Sequence, residues 1–304
     1  MTRMPATPIA PLTFEHPILR REKRDWSPFF LAAPNVLWLL LFLAGALGIL
    51  FVLSFRGYQP GGAGILPTWE LTQYKAFLTD RFHFDILLRS LLMSTYVTAG
   101  CLILGFPFAY ALSRLRGWKR ALLYFTVLVP LLTSAVVRTF GWMVLLSNNG
   151  FINKTLLGWG IIETPIPMMY RMTGIVIALI QVLLPFMVLA LDAALLNIDR
   201  QLYDAARNLG GGAVRIFVQV TLPLSLPGIV SGSVLVFTLA ISAFVTPVLI
   251  GGPRIPVMAT LIYQQGIALL NWPFGAAISF IMLLVLVVIL AVALTVSRSW
   301  RRAR

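Results

Sequence analysis

Long apolar runs alternate with short polar interruptions along this chain. Six runs stand out, at residues 29–55, 86–113, 121–146, 173–197, 229–250 and 272–296. Each suffices for a helix to cross a hydrocarbon layer of about 30 Å, which takes about 20 residues. None alternates with a period of two, as the strands of a membrane barrel do. In lipid a helix also satisfies its own N–H and C=O groups. The pattern predicts an all-α membrane protein with six transmembrane helices. Its domains are a basic N-terminal tail (1–28), a six-span domain (29–296) and a basic C-terminus (297–304). The first run exceeds the roughly 7–15 apolar residues of a cleaved signal, so it reads as an uncleaved span.

Composition agrees. Hydrophobic residues make up 59% of the chain and charged residues 11%, against about 25% charged in soluble domains. A net charge of +14 on a soluble protein would suggest nucleic acid. Here the charges sort by side. Of 24 Lys and Arg, sixteen fall in the N-terminus, second loop, fourth loop and C-terminus, and seven on the opposite side, counting Arg89 at the start of the second span; Arg138 lies within the third span. Positive charge collects on the cytoplasmic side, so both termini are expected there, and topology accounts for most of the charge without nucleic acid. His16 and His83 are far apart and read as loop residues, with no metal-ligand spacing. The single cysteine, Cys101, excludes an intrachain disulfide.

The outer loops carry their own signals. Residues 71–90 suggest a short surface helix. Asn148-Asn149-Gly150 marks a turn, after which Phe151, Leu156, Leu157 and Trp159 suit a short helix on the membrane face. Trp272 suits the interfacial belt and Pro273 the first turn of the last span. Pro185 is expected to kink the fourth span. Gly228 and Gly232 form a small-xxx-small pair for close helix contact.

The fourth loop, 200–227, is unusually polar. Leu202, Ala205, Ala206 and Leu209 fall at helical spacing, and Gly210-Gly211-Gly212 ends that helix. Asp204 is expected at the helix start, where its charge suits the macrodipole. A second piece follows, with Val214, Phe217, Val218 and Leu222 on one side, stopped by Pro223 and Pro227. The small Ala205-Ala206 pair lets another surface approach closely.

The spacing Asp204-Ala205-Ala206, three residues, Gly210, nine residues, Val220, one residue, Leu222-Pro223 resembles the EAA loop of ABC importer membrane subunits. Asp replaces the usual Glu and Val the usual Ile. "VLVPLLTSAVVRTFGWMVLLSNNGFINKTLLGWG", "ISAFVTPVLIGGP" and "NWPFGAAISFIMLL" look like spans of the polyamine (spermidine/putrescine)-type permease group, and the resemblance covers about 29–296. It implies a type I ABC importer permease (MetI-like) fold in the bacterial inner membrane. It implies a coupling helix that docks into a cleft on the ATP-hydrolysing subunit. The implied partners are two ATP-binding cassette subunits, a second permease subunit (related chain or second copy), a periplasmic solute-binding protein and the lipid bilayer. No cofactor is expected on this chain, since ATP and Mg would belong to the ATPase subunits. Indeed the sequence has no phosphate loop G-x-x-x-x-G-K-[ST] and no nucleophile–base constellation, so a transporter subunit and not an enzyme is expected.

The implied solute is a polyamine or related amine. Many permeases of that group carry an acidic residue just before the Phe-Val of the fifth span, where this chain has Ala243. A carboxylate there would be a counter-ion for a cationic solute. Opines, amino-acid derivatives, phosphonates and iron complexes are the alternatives that the wider group implies. A different class, an ATP-independent secondary transporter, would show paired broken helices and buried coupling-ion ligands, and no such pairing is read here.

Pathway candidates are Arg138, Trp142, Ser242, Phe244 and Thr246. A charge at the bilayer centre costs about 2.5–3.5 kcal/mol on insertion scales, so Arg138 either meets the pathway or pairs with backbone carbonyls or an outer acid such as Glu163. Trp142 serves packing, the interface or a substrate platform. Asp192, near the inner end of the fourth span, reads as a solvated cap, a local ion pair or a gate.

Overall fold

The computed structural model describes residues 27–59 and 64–302. Most of the basic N-terminal tail, with His16, and residues 303–304 lie outside that range. The chain divides into two units, the first ending at Ile49 and the second starting at Leu50. Helix α1 (Ser27–Ser54) opens the described chain. Two strands follow, β1 (Arg56–Gln59) and β2 (Gly64–Trp69), paired antiparallel. This hairpin is too short for the span pattern to reveal.

Then come α2 (Thr72–Thr79), α3 (Arg81–Arg114), α4 (Gly117–Leu128), α5 (Ala135–Leu146), α6 (Phe151–Gly158) and α7 (Met172–Leu196). The chain continues with α8 (Arg200–Asn208), α9 (Ala213–Ile216), α10 (Leu222–Ile241), α11 (Met258–Tyr263) and α12 (Trp272–Arg302). Among the described residues, five helices are long and apolar enough to cross a membrane, or six if one bent pair counts as a single span. That agrees with the expected helical membrane fold, the short hairpin being its one addition.

Four local expectations change. The third span is not one helix: it breaks at Thr133-Ser134, and its halves are bent by 98°. Pro130, in the short 3-10 turn Val129–Leu132, removes a donor where the first half ends. The fifth span begins well before residue 229. Helix runs from Ala213 to Ile241, and Pro223 and Pro227 lie inside it without stopping it. A π turn at Phe217–Thr221, where Leu222 N donates to Phe217 O, widens the helix just ahead of Pro223. The same span ends at Ile241, short of residue 250, and resumes as a π turn at Pro247–Gly251. Finally, the third outer loop is itself partly helical, because α11 packs Met258 and Leu261 against Phe77, Ile86, Phe274 and Ile278. Pro185 sits within α7, which stays unbroken, and α6 and the start of α12 lie where expected.

Helix α7 is the centre of the second unit, packed against both α3 and α10. Small residues let them approach. A Cβ at Gly228 would lie 2.4 Å from the Cβ of Ala194, and one at Gly232 would lie 2.8 Å from Met187 Sδ. The pair read as a helix-contact seam therefore faces α7. Cys101, Val97 and Met93 of α3 meet Ala178, Leu183, Met187 and Leu191 of α7 in one buried cluster. Outward side chains such as Ile103, Phe125 and Leu284 stay exposed, as hydrocarbon surroundings require.

The same core holds one charge. Asp192 is 1% exposed and accepts from Arg120 Nη2 at 3.0 Å and from the Tyr124 hydroxyl, both on α4. Of the readings open for Asp192, the structure supports the local ion pair. The pair fastens α4 to α7, while its Oδ1 has no partner among the described residues. Breaking a buried pair from one side costs about 3–5 kcal/mol, and the partial exposure of Arg120 places this one near the lower figure. Arg120→Ala is therefore expected to lower the melting temperature of the detergent-solubilised protein by several degrees. Adding Asp192→Asn should recover much of that loss, whereas additive losses would show that the two groups do not act as a unit.

Candidate functional site

The polar loop folds as a short helix with defined ends. Asp199 caps α8, its carboxylate accepting from Gln201 N at 2.9 Å. Asp204 is thus not at the helix start, as the sequence suggested. It sits mid-helix and exposed, with Arg207 Nη1 at 3.8 Å. The local cap sequence one turn earlier satisfies the free N–H groups instead.

The far end is a Schellman turn. Gly210 N donates to Arg207 O and Gly211 N to Ala206 O, each at 2.9 Å. This closure needs a left-handed residue, and Gly210 has φ +75°. A side chain there would be strained, but it would meet nothing of this chain, since no atom lies within 4 Å of a Cβ at that position. The loop therefore presents an open outer face. Leu209 is 86% exposed and Val214 78%. Ala205 is exposed and Ala206 half-buried. Ala206, Leu209, Gly211, Arg215, Ile216 and Gln219 surround a shallow hollow. Leu222 and Pro223, the end of the loop motif, lie in the first turn of α10 and are partly exposed.

A second groove, about 400 Å³, opens between α8 and the end of α3. Ser113, Arg114, Arg116, Arg200, Tyr203 and Arg207 line it. Arg114 and Tyr203 were missed at the level of sequence. Each looked like part of a basic or amphipathic run, and only the fold brings them together.

The pathway candidates gather around the two breaks. Arg138 donates from Nη1 to the Pro130 carbonyl, and its Nε finds no partner among the described residues. This is the backbone-carbonyl alternative, not a pairing with Glu163. Trp142 Nε1 donates to Gln181 Oε1 at 3.1 Å, joining α5 to α7. Thr246 is buried, its hydroxyl 3.4 Å from that of Thr139. Phe244 lies in the gap after α10, its ring 4.8 Å from that of Tyr263. Ser242 is exposed, and its hydroxyl donates to Thr238 O at 2.9 Å. The structure thus brings Thr246 to Thr139 of α5, the helix that also carries Arg138 and Trp142, and leaves Ser242 exposed.

Tyr263 was missed, since it falls in what reads as a loop. Among the described residues one span, the third, is a bent pair, so the reading of no paired broken helices is not overturned. A single break does not separate the transporter classes, which leaves relatives to do so.

Residues 102–302 match the family described as binding-protein-dependent transport system inner membrane component. The spermidine/putrescine transport system permease protein PotB of Escherichia coli (strain K12) is 38% identical over 227 residues, 75% of this chain and 80% of that protein. The inner membrane ABC transporter permease protein YdcU of the same organism is 29% identical over 281 residues, 86% of this chain and 87% of that one. One chain of a bacterial alginate ABC transporter, in complex with alginate pentasaccharide-bound periplasmic protein, has a similar fold. Its TM-score is 0.75 at 19% identity, over 91% of this chain and 96% of that chain. A chain of the MetNI methionine ABC transporter, in an inward facing conformation, gives a TM-score of 0.57 at 17% identity, over 73% of this chain and 99% of that chain. By its family match and its extended likeness to PotB, the chain belongs to the inner membrane components of binding-protein-dependent transport systems, the permeases of ABC importers.

Proposed function

We propose that this chain forms half of a permease pair and moves a small amine, of the polyamine class, from periplasm to cytoplasm by alternating access. The observation that carries this reading is the open face of α8. A nine-residue helix, capped at both ends within the chain, is followed by a glycine turn, and Leu209 at the helix end and Val214 in α9 beyond the turn are left on the surface. Such a face suits a cleft on another subunit. The excess of Lys and Arg on the same side supports a cytoplasmic position for α8 and for both termini. There two ATP-binding cassette subunits dock, and their ATP-driven closure biases the spans between outward- and inward-open populations. A periplasmic binding protein delivers the solute to the opposite face.

Likeness to PotB, a spermidine/putrescine permease by name, supports an amine solute. Among the described residues neither break carries a carboxylate, and Ala243 is half-buried in the gap of the fifth span. In this half of the pathway the Phe244 and Tyr263 rings offer a cation a π face instead. The second permease would supply any counter-charge.

Asp204→Lys and Gly210→Trp are each expected to abolish uptake while the chain stays in the membrane, followed by radiolabelled uptake beside membrane immunoblots. The glycine has open space around it, so a loss there must come from left-handed strain, about 1–2 kcal/mol, and from bulk on the docking face. Normal uptake by both variants would remove the coupling role. For the solute, the cognate binding protein is expected to bind spermidine or putrescine in equilibrium titration; no affinity for any amine would sink the amine reading and leave the importer intact.

A further inference from the structure

One side of α3 grips the loop. Phe106, Tyr110 and Arg114 are spaced by four, so they line a single face of the helix. Arg114 Nη2 donates to the Tyr110 hydroxyl at 2.9 Å. Its guanidinium lies 4.9 Å from the Tyr110 ring centroid and 4.6 Å from that of Tyr203. Tyr203 belongs to α8 and adjoins Asp204. On the far side of the glycine turn, Phe217 sets its ring edge-on to Phe106 at 5.5 Å and to Tyr110 at 6.0 Å. Both flanks of the coupling loop therefore rest on one stripe of a helix to which the backbone does not connect them.

That contact has mechanical meaning. A displacement of α8 passes to α7 through the three residues 197–199. Toward α10 it must cross Gly210-Gly211-Gly212, a compliant link. It has no backbone route to α3 except through the whole of α4–α7. Side-chain contact is the direct route, and Pro107, inside α3 next to Phe106, weakens the helix where it would bend.

We propose that the Tyr110–Arg114–Tyr203 clasp carries coupling-helix displacement into α3, with Arg114 as its positioning residue; the proposal rests on the coupling reading of α8. Arg114 is exposed and Tyr203 half-buried, so removing either is expected to leave the fold intact.

The test uses the full importer, co-purified with its ATPase subunits, placed in proteoliposomes and supplied with the loaded binding protein. R114Q should assemble and keep basal ATP hydrolysis. Stimulation of hydrolysis by the loaded binding protein, and uptake with it, should fall by about five-fold or more. R114K, which keeps a cation on the rings, should restore most of it. Y203L should behave as R114Q and Y203F as the unaltered protein. The double variant should be no worse than either single change. Full stimulation in both R114Q and Y203L, or additive losses in the double variant, would overturn the clasp. If R114Q does not accumulate in the membrane, Y203L against Y203F decides from the α8 side. ATPase subunits that never co-purify with the unaltered chain would overturn the coupling reading itself, an outcome distinct from normal assembly with normal stimulation.

Discussion

Hydrocarbon offers a backbone no hydrogen-bond partner, and most of this structure follows from that. Each span is helical because a helix is the local way to satisfy its own amides. Where the helices stop, side chains take over. At the break of the third span, Thr133 Oγ1 donates to Pro130 O at 2.8 Å, and Arg138 donates to the same carbonyl. At the end of α10, Ser242 caps Thr238 O. The polar residues near the breaks are there first for the backbone. Any contact with a solute uses what they leave free.

The second consequence is that helices in lipid must be held together by fit and by a few polar contacts. Helix α7 shows both. Glycines of α10 admit its Ala190 and Ala194 at close range, and Asp192 binds Arg120 and Tyr124 across to α4. The charge is tolerable in the core because it is paired.

At that end the chain does two opposite things. It closes α8 upon itself with an acidic cap and a glycine turn, and it leaves the outer face of α8 uncovered. A self-contained helix and turn with Leu209 and Val214 exposed on either side of the glycines is costly for a chain acting alone and natural for one subunit among several. The inner side of the same helix is occupied by Arg114 of α3, which lies over the Tyr203 ring, so the loop has one face open and one face held to its own spans.

Much was legible in the residues themselves. Six apolar runs specified six spans, because crossing a bilayer needs length and apolarity that no soluble fold demands. The glycine triplet and the alanine pair marked the loop, because left-handed turns and close approach leave few residue choices. Tertiary structure decided the rest. Periodicity could not show that the third span breaks or that the fifth ends at Ile241, since Thr133-Ser134 and Ser242–Phe244 are as compatible with a helix as with a gap until their neighbours are known. The prolines at 223 and 227 are no stop: Pro223 falls in the first turn of α10, where a missing N–H costs least, and Pro227 is carried inside the same helix. The helix starts one turn before Asp204, because Asp199 takes the cap there. The partnership of Arg114 with Tyr203 spans 89 positions of sequence; no local pattern encodes it, and only the packing of α8 on α3 creates it.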